Sequence, residues 1–385
     1  MYYSKLNALR GAAAFFVAAF HYILPYGALN SLIYNSAIFV DLFFVLSGFV
    51  IYKGYQQSVS DRVINAGQFA FLRLARLYPV HFVILLVWLM FIGGKILVAS
   101  RFGLGDPQYE NTLVWPFFEN LFLINAYGIS GELQWNYPTW SVSAELFAYL
   151  AFFIFLIVFR KAGDSARPLV FHAVLISVSC YLALYVIGLY EKHPTLVYRH
   201  ASFGFLRGAA GFFAGVALAQ LDPGRFVKRR GFLKDTLAEA GLVAIALWLV
   251  SISNDSFVLQ VVTVAAFVVV IGFFSGRSQG LVSRFLDGRA MQYFGRISYS
   301  FYLWHVIVYL FMTDVFQFVL GFETNAENHV AGEAKWLVMG LSFTATCIVS
   351  TITFRLIEEP VRLWSKDVVK NRLRIRRNNG GLEAA

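Results

Sequence analysis

Ten apolar stretches recur along this 385-residue chain, at residues 9–27, 36–54, 77–99, 139–159, 169–190, 203–221, 236–252, 257–274, 296–319 and 336–356. A helix needs about 20 apolar residues to cross a bilayer. In hydrocarbon every backbone amide must also find its partner inside the segment itself. The pattern therefore predicts an all-α, polytopic integral membrane protein with about ten transmembrane helices. Charged residues make up 14% of the chain, against about 25% in a soluble domain. The stretch 112–126 is shorter and carries Pro116, which predicts an interfacial or re-entrant segment. No convincing small-residue cleavage site follows the first stretch, so it is read as a retained helix and not a signal peptide.

A net charge of +10 and a pI of about 9.5 would fit a nucleic-acid binder, but the distribution argues against one. Of the 32 Lys and Arg, 26 fall on the side that carries the N-terminus, five on the other, and Arg207 within a helix. Such asymmetry is an orientation signal, and it predicts both termini in the cytoplasm. Cys180 and Cys347 fall inside apolar stretches, giving neither a disulfide framework nor metal-ligand spacing. Residues 1–364 form the membrane domain in this reading. Residues 365–385 form a basic, disordered cytoplasmic tail, explained by contact with anionic headgroups or by disorder alone.

Ionisable groups inside a membrane are costly and mark function by default. Arg10 and His21 share nearly one face of the first helix and are separated by about 16 Å along its axis. Depth counting places His21, Asp41, Glu145 and Arg207, from four helices, at one level below the outer surface. Asp41 and Arg207 are candidates to neutralise each other. His21 beside a carboxylate would make a general base, and Glu145 or Asp41 is its expected partner. Arg73 and Arg76, three apart in FLRLARLYP, are placed on a short helix before the third stretch, where two guanidiniums can grip a phosphate. A long outer loop, about 100–138, ends in ELQWNYPTWS. Its Trp135, Tyr137 and Trp140 suit sugar stacking, or an interfacial aromatic belt. Ser47 lies deeper, and its neighbour Gly48 points to close helix packing.

These strings, in this order, resemble the type 3 membrane acyltransferases, O-acetylases of bacterial surface and exported glycans. The resemblance covers nearly the whole chain. It rests on LRGAAAFFVAAFHY, VDLFFVLSGFVI, FLRLARLYP, PTWSVSAELFAY (Trp140, Ser141, Glu145), ISYSFYLWH (Tyr299, His305) and RLIEEPVR (Glu358, Glu359, Pro360). It implies acetyl-CoA or a related acyl-CoA as a cytoplasmic co-substrate, with no permanently bound cofactor and no metal. His21 matches the family's catalytic histidine, Arg10 its partner, and Arg73 with Arg76 the cytoplasmic arginine motif. Asp41, Arg207, Ser141, Tyr137, Trp140 and His305 are candidate supporting residues. Ser141, Ser143 and Tyr137 all remain open as oxyanion donors, and direct transfer and a covalent acyl-histidine both remain open. The implied partners are acyl-CoA, a glycan acceptor and the bilayer of a bacterial inner membrane, with no nucleic acid. The competing reading is a multi-pass transporter or flippase, in which the intramembrane charges line a path.

Overall fold

The computed structural model describes residues 3–27, 30–102, 114–131, 135–160, 166–193, 195–200, 202–325 and 329–380. Among these the α-helices are, in chain order, α1 Ser4–Ile23, α2 Ser31–Tyr34, α3 Phe39–Ser60, α4 Ala66–Phe102, α5 Val114–Leu121, α6 Trp140–Arg160 and α7 Ala166–Tyr190. They continue with α8 Gly204–Leu221, α9 Phe232–Ile252, α10 Phe257–Phe274, α11 Leu281–Leu286, α12 Arg289–Asp314, α13 Ala334–Thr353 and α14 Glu359–Gly380. The ten longest apolar elements, all but α2, α5, α11 and α14, are long and apolar enough to cross a membrane. The protein is a multi-pass membrane protein. The short α5 answers to the apolar but non-spanning stretch expected at 112–126. Residues 103–113 and 132–134 of the long loop, and 381–385 of the tail, lie outside the described residues.

Two boundaries depart from expectation, and both matter for the site. Arg73 and Arg76 do not sit on a separate short helix. They belong to the first turns of α4, one continuous helix of 37 residues with Pro79 inside it. At about 1.5 Å per residue α4 is roughly 55 Å long, well beyond the ~30 Å hydrocarbon core. Polar residues at its start therefore need not end it. The stretch from 365 to 380, expected to be disordered, continues α14. An apolar face explains this: Trp364 packs edge-on against Phe71 of α4 at 5.7 Å, and Val369 is buried. Between α13 and α14 the chain makes a π-turn over Phe354–Glu358. Pro360 has no N–H to offer the carbonyl of residue 356, and its ring crowds that carbonyl. The widened turn relieves both problems and aims Glu358 into the bundle.

Small residues let the central helices approach closely, as they do in lipid, where the hydrophobic effect gives helices no reason to associate. A Cβ on Gly48 of α3 would run into the Phe212 carbonyl of α8, and one on Gly215 of α8 into the Val45 carbonyl of α3. Gly48 thus does what its place beside Ser47 promised. Gly215→Ala must push two backbones apart, and overpacking of this kind costs about 1–3 kcal/mol. We expect a lower unfolding temperature for the detergent-solubilised variant. Gly93→Ala in α4, where a Cβ meets nothing within 4 Å, should leave that temperature unchanged or raise it, because alanine is the better helix former.

Candidate active site

The helices α1 and α12 set the centre of the site. They touch backbone to backbone where Gly11 meets Gly295. His21 and His305 each lie ten residues beyond their glycine, so two parallel helices with equal rise bring them level. His305 Nε2 is 2.8 Å from His21 Nδ1. The protons follow from the remaining contacts. His305 Nδ1 lies 2.6 Å from the Tyr302 carbonyl oxygen, which can only accept, so Nδ1 carries the proton and Nε2 is a lone pair. His21 Nδ1 must then donate to it. That leaves His21 Nε2 as an unprotonated lone pair with its ring held in place. The ring keeps part of its surface accessible, and Tyr137 stands edge-on to it at 5.2 Å.

Glu145 is therefore not the partner of His21. It accepts from Ser47 Oγ at 2.5 Å and from the hydroxyl of Tyr149, four residues on. Depth counting gives a level along the membrane normal but no direction around a helix axis, and Glu145 points toward α3. Nor is Asp41 that partner. Its carboxylate takes Arg207 Nη2 at 2.6 Å and Nε at 3.1 Å, with both side chains fully buried. Arg207 Nη1 also donates to the Val197 carbonyl at 2.9 Å, and the guanidinium lies 5.0 Å over the Trp140 ring. The four residues expected at one site thus divide between separate clusters. His200, in the loop before α8, is pushed down to about 4 by burial first and then by Arg207 and Arg199.

Below the histidine pair, toward the end that carries both termini, lies a narrow pocket of about 170 Å³. Arg10, Arg73, Arg76 and Glu145 are the charged residues on its wall, with Ser47, Ser141, Tyr149, Tyr299 and Tyr302 among the others. The structure thus brings Arg10, Arg73 and Arg76 together and keeps Arg10 apart from His21, as their axial separation required. Arg76 donates to Glu358, brought in by the π-turn, and Ser300 Oγ donates to the same carboxylate at 2.5 Å. Arg73 donates to the Tyr55 hydroxyl. Arg10 makes no hydrogen bond or ion pair with the described residues. Arg76 is balanced by Glu358, and Arg10 and Arg73 face the single carboxylate of Glu145, so the wall keeps a positive surplus suited to an anionic or strongly polar guest. Tyr302 joins the two regions: its ring lines the pocket, and its carbonyl orients His305.

Glu358, Tyr149 and Ser47 are site residues that the sequence did not mark as such. The Glu145–Tyr149 pair carried a signal, the i, i+4 spacing on one helix face. Glu358 carried none beyond its motif. On the far side, Asn120, Asn125 and Thr139 knit the loop after α5: Thr139 Oγ1 lies 2.7 Å from Asn120 Oδ1, and Asn125 Nδ2 donates to Thr139 Oγ1 at 3.0 Å. Asn136 Nδ2 donates to the Leu303 carbonyl at 3.1 Å. These bonds pin Tyr137 over His21. Ser141 Oγ is engaged with Tyr302 at 2.9 Å, and Ser143 Oγ accepts from the Ala126 amide.

The model of the acyltransferase domain family matches residues 3–355. The chain belongs to this acyltransferase family. The acyltransferase is 25% identical over 380 residues to the peptidoglycan O-acetyltransferase OatA of Listeria monocytogenes, covering 94% of this chain and 56% of OatA. It is 23% identical over 378 residues to YrhL of Bacillus subtilis, covering 94% of this chain and 55% of YrhL. Protein 2 in the picA locus of Rhizobium radiobacter is 30% identical over 150 residues, 37% of this chain and 75% of that protein. The chain thus spans little more than half the length of OatA and YrhL. No solved structure matches it.

Proposed function

We propose that this acyltransferase moves an acetyl or short acyl group from acyl-CoA to a hydroxyl of an extracytoplasmic glycan, with His21 as general base. The observation that carries the reading is the His21–His305 pair at the head of a positively lined pocket. It leaves His21 one basic nitrogen, in one tautomer, on a ring that is still part-exposed. In this reading the protein sits in a bacterial inner membrane with both termini in the cytoplasm. Acyl-CoA enters from that side, and its thioester passes Arg73, Arg76 and Arg10.

The acceptor hydroxyl gives its proton to His21 Nε2 as its oxygen attacks the thioester carbonyl. Tyr137, whose hydroxyl makes no hydrogen bond with the described residues, donates to the developing oxyanion. The carbon–sulfur bond then breaks, and the imidazolium returns its proton to the departing thiolate. The products are the ester and free CoA. The polar wall and Glu145 hold the pantetheine arm, whose amides need partners in a dry channel.

The test is direct. Purified protein in vesicles, given acetyl-labelled acetyl-CoA and surface glycans such as O-antigen or exopolysaccharide, transfers label to one of them. Mass spectrometry of surface glycans from a deletion strain should show the matching loss of acetyl groups. A transporter would move an acceptor across the vesicle and leave it unlabelled.

A further inference from the structure

A second cleft, of about 670 Å³, opens at the terminus-bearing end of the bundle, between α14 and the α3–α4 turn. Its apolar walls include Tyr55, Ile64, Leu72 and Val369, and its charged residues are Lys366 and Lys370. The two lysines stand one turn apart on α14 and are both exposed. Among the described residues no carboxylate lines the cleft. Its volume falls in the range of about 300–1,000 Å³ that holds small ligands.

The cleft adjoins the narrow pocket. Tyr55 lines the one and Arg73 the other, and Arg73 both donates to the Tyr55 hydroxyl and lies 4.5 Å over its ring. A ligand spanning both would have a bulky anionic head with a flat apolar part, then a slender polar tail. We propose that Lys366, Lys370 and Tyr55 form the subsite for the nucleotide end of the acyl donor, the adenosine 3′,5′-bisphosphate part of acyl-CoA. The inference rests on the donor reading above. The lysines pair with the phosphates, and the purine packs between Tyr55 and the aliphatic wall. Arg73 is the threshold, where the nucleotide stops and the arm goes on. This moves the nucleotide off Arg73 and Arg76, which stand inside the bundle.

The test is equilibrium binding to the full chain in vesicles, with labelled acetyl-CoA and with labelled acetylpantetheine, which lacks the nucleotide. Lys366→Ala with Lys370→Ala should weaken acetyl-CoA about tenfold or more, a loss on the scale of one or two charged hydrogen bonds. Acetylpantetheine binding should not change. Adenosine 3′,5′-bisphosphate should compete with acetyl-CoA on the wild type and fail to do so on the double variant. Equal weakening of both donors, or of neither, overturns the subsite while leaving the donor reading intact. Failure of the wild type to bind acetyl-CoA at all overturns both. If the loss appears only in vesicles containing phosphatidylglycerol and not in phosphatidylcholine alone, the lysines hold a lipid headgroup and the proposal falls.

Discussion

The His21→Ala variant should transfer acyl groups roughly 10²–10⁴-fold more slowly than the wild type, the usual worth of a general base. The loss should sit in kcat, with the KM for acyl-CoA little changed, because the donor's contacts lie lower in the bundle. Wild-type rates from a normally inserted His21→Ala protein would remove the base from the mechanism. The partner histidine provides a finer measurement. His305 is a positioning residue: it accepts from His21 Nδ1 and so sets which nitrogen is free. His305→Leu removes the acceptor that fixes the tautomer and should cost about tenfold or more in kcat, a loss on the scale of one hydrogen bond. His305→Gln, whose amide oxygen accepts in the same place, should recover part of the rate and keep the wild-type pH profile. A merely structural role for His305 would give the two variants equal rates and equal profiles.

Breaking the Asp41–Arg207 pair should produce the largest loss of stability. Arg207→Met leaves a carboxylate buried with no cation, and removal of one member of such a pair costs about 3–5 kcal/mol. Thermal unfolding of the detergent-solubilised protein should register this as a sharp drop, or as failure to accumulate in the membrane. The double variant Asp41→Leu with Arg207→Met should regain much of the loss, because two apolar side chains leave no charge stranded. If the double variant were no more stable than Arg207→Met alone, the loss would come from the other contacts of Arg207, with the Val197 carbonyl and the Trp140 ring, and not from a stranded carboxylate.

The spanning helices were legible because a bilayer asks one question of every segment, its length of apolar residues, and each segment answers alone. Their ends were less so. The start of α4 at Ala66 and the run of α14 to Gly380 depend on tertiary contacts such as Trp364 on Phe71. The membrane level of His21 could be counted from a helix end, but its partner could not. Whether His21 meets Glu145 or His305 depends on which helix lies beside α1. That is settled by Gly11 against Gly295, a contact between residues 284 positions apart. Asp41 and Arg207 were legible as a pair because two lone opposite charges in hydrocarbon have few other options. Glu358 was not, because it reaches the bundle only through a π-turn.

The distance in sequence between Asp41 and Arg207 also bears on how the protein is made. A ribosome delivers α3 long before α8, and an unpaired aspartate or arginine at depth costs a helix about 2.5–3.5 kcal/mol on insertion. With a mean hydropathy of 1.8, the span holding Asp41 is apolar enough to wait for its partner. The span holding Arg207, with the arginine counted, has a mean hydropathy of 1.3 over 18 residues, the lowest of the ten spans among the described residues. The Asp41 carboxylate, already in the bilayer when α8 arrives, is the expected partner that eases the entry of Arg207. A variant lacking Asp41 is therefore expected to insert α3 normally and to lose efficiency at the insertion of α8, a difference that glycosylation tags placed in the loops beside each helix would read.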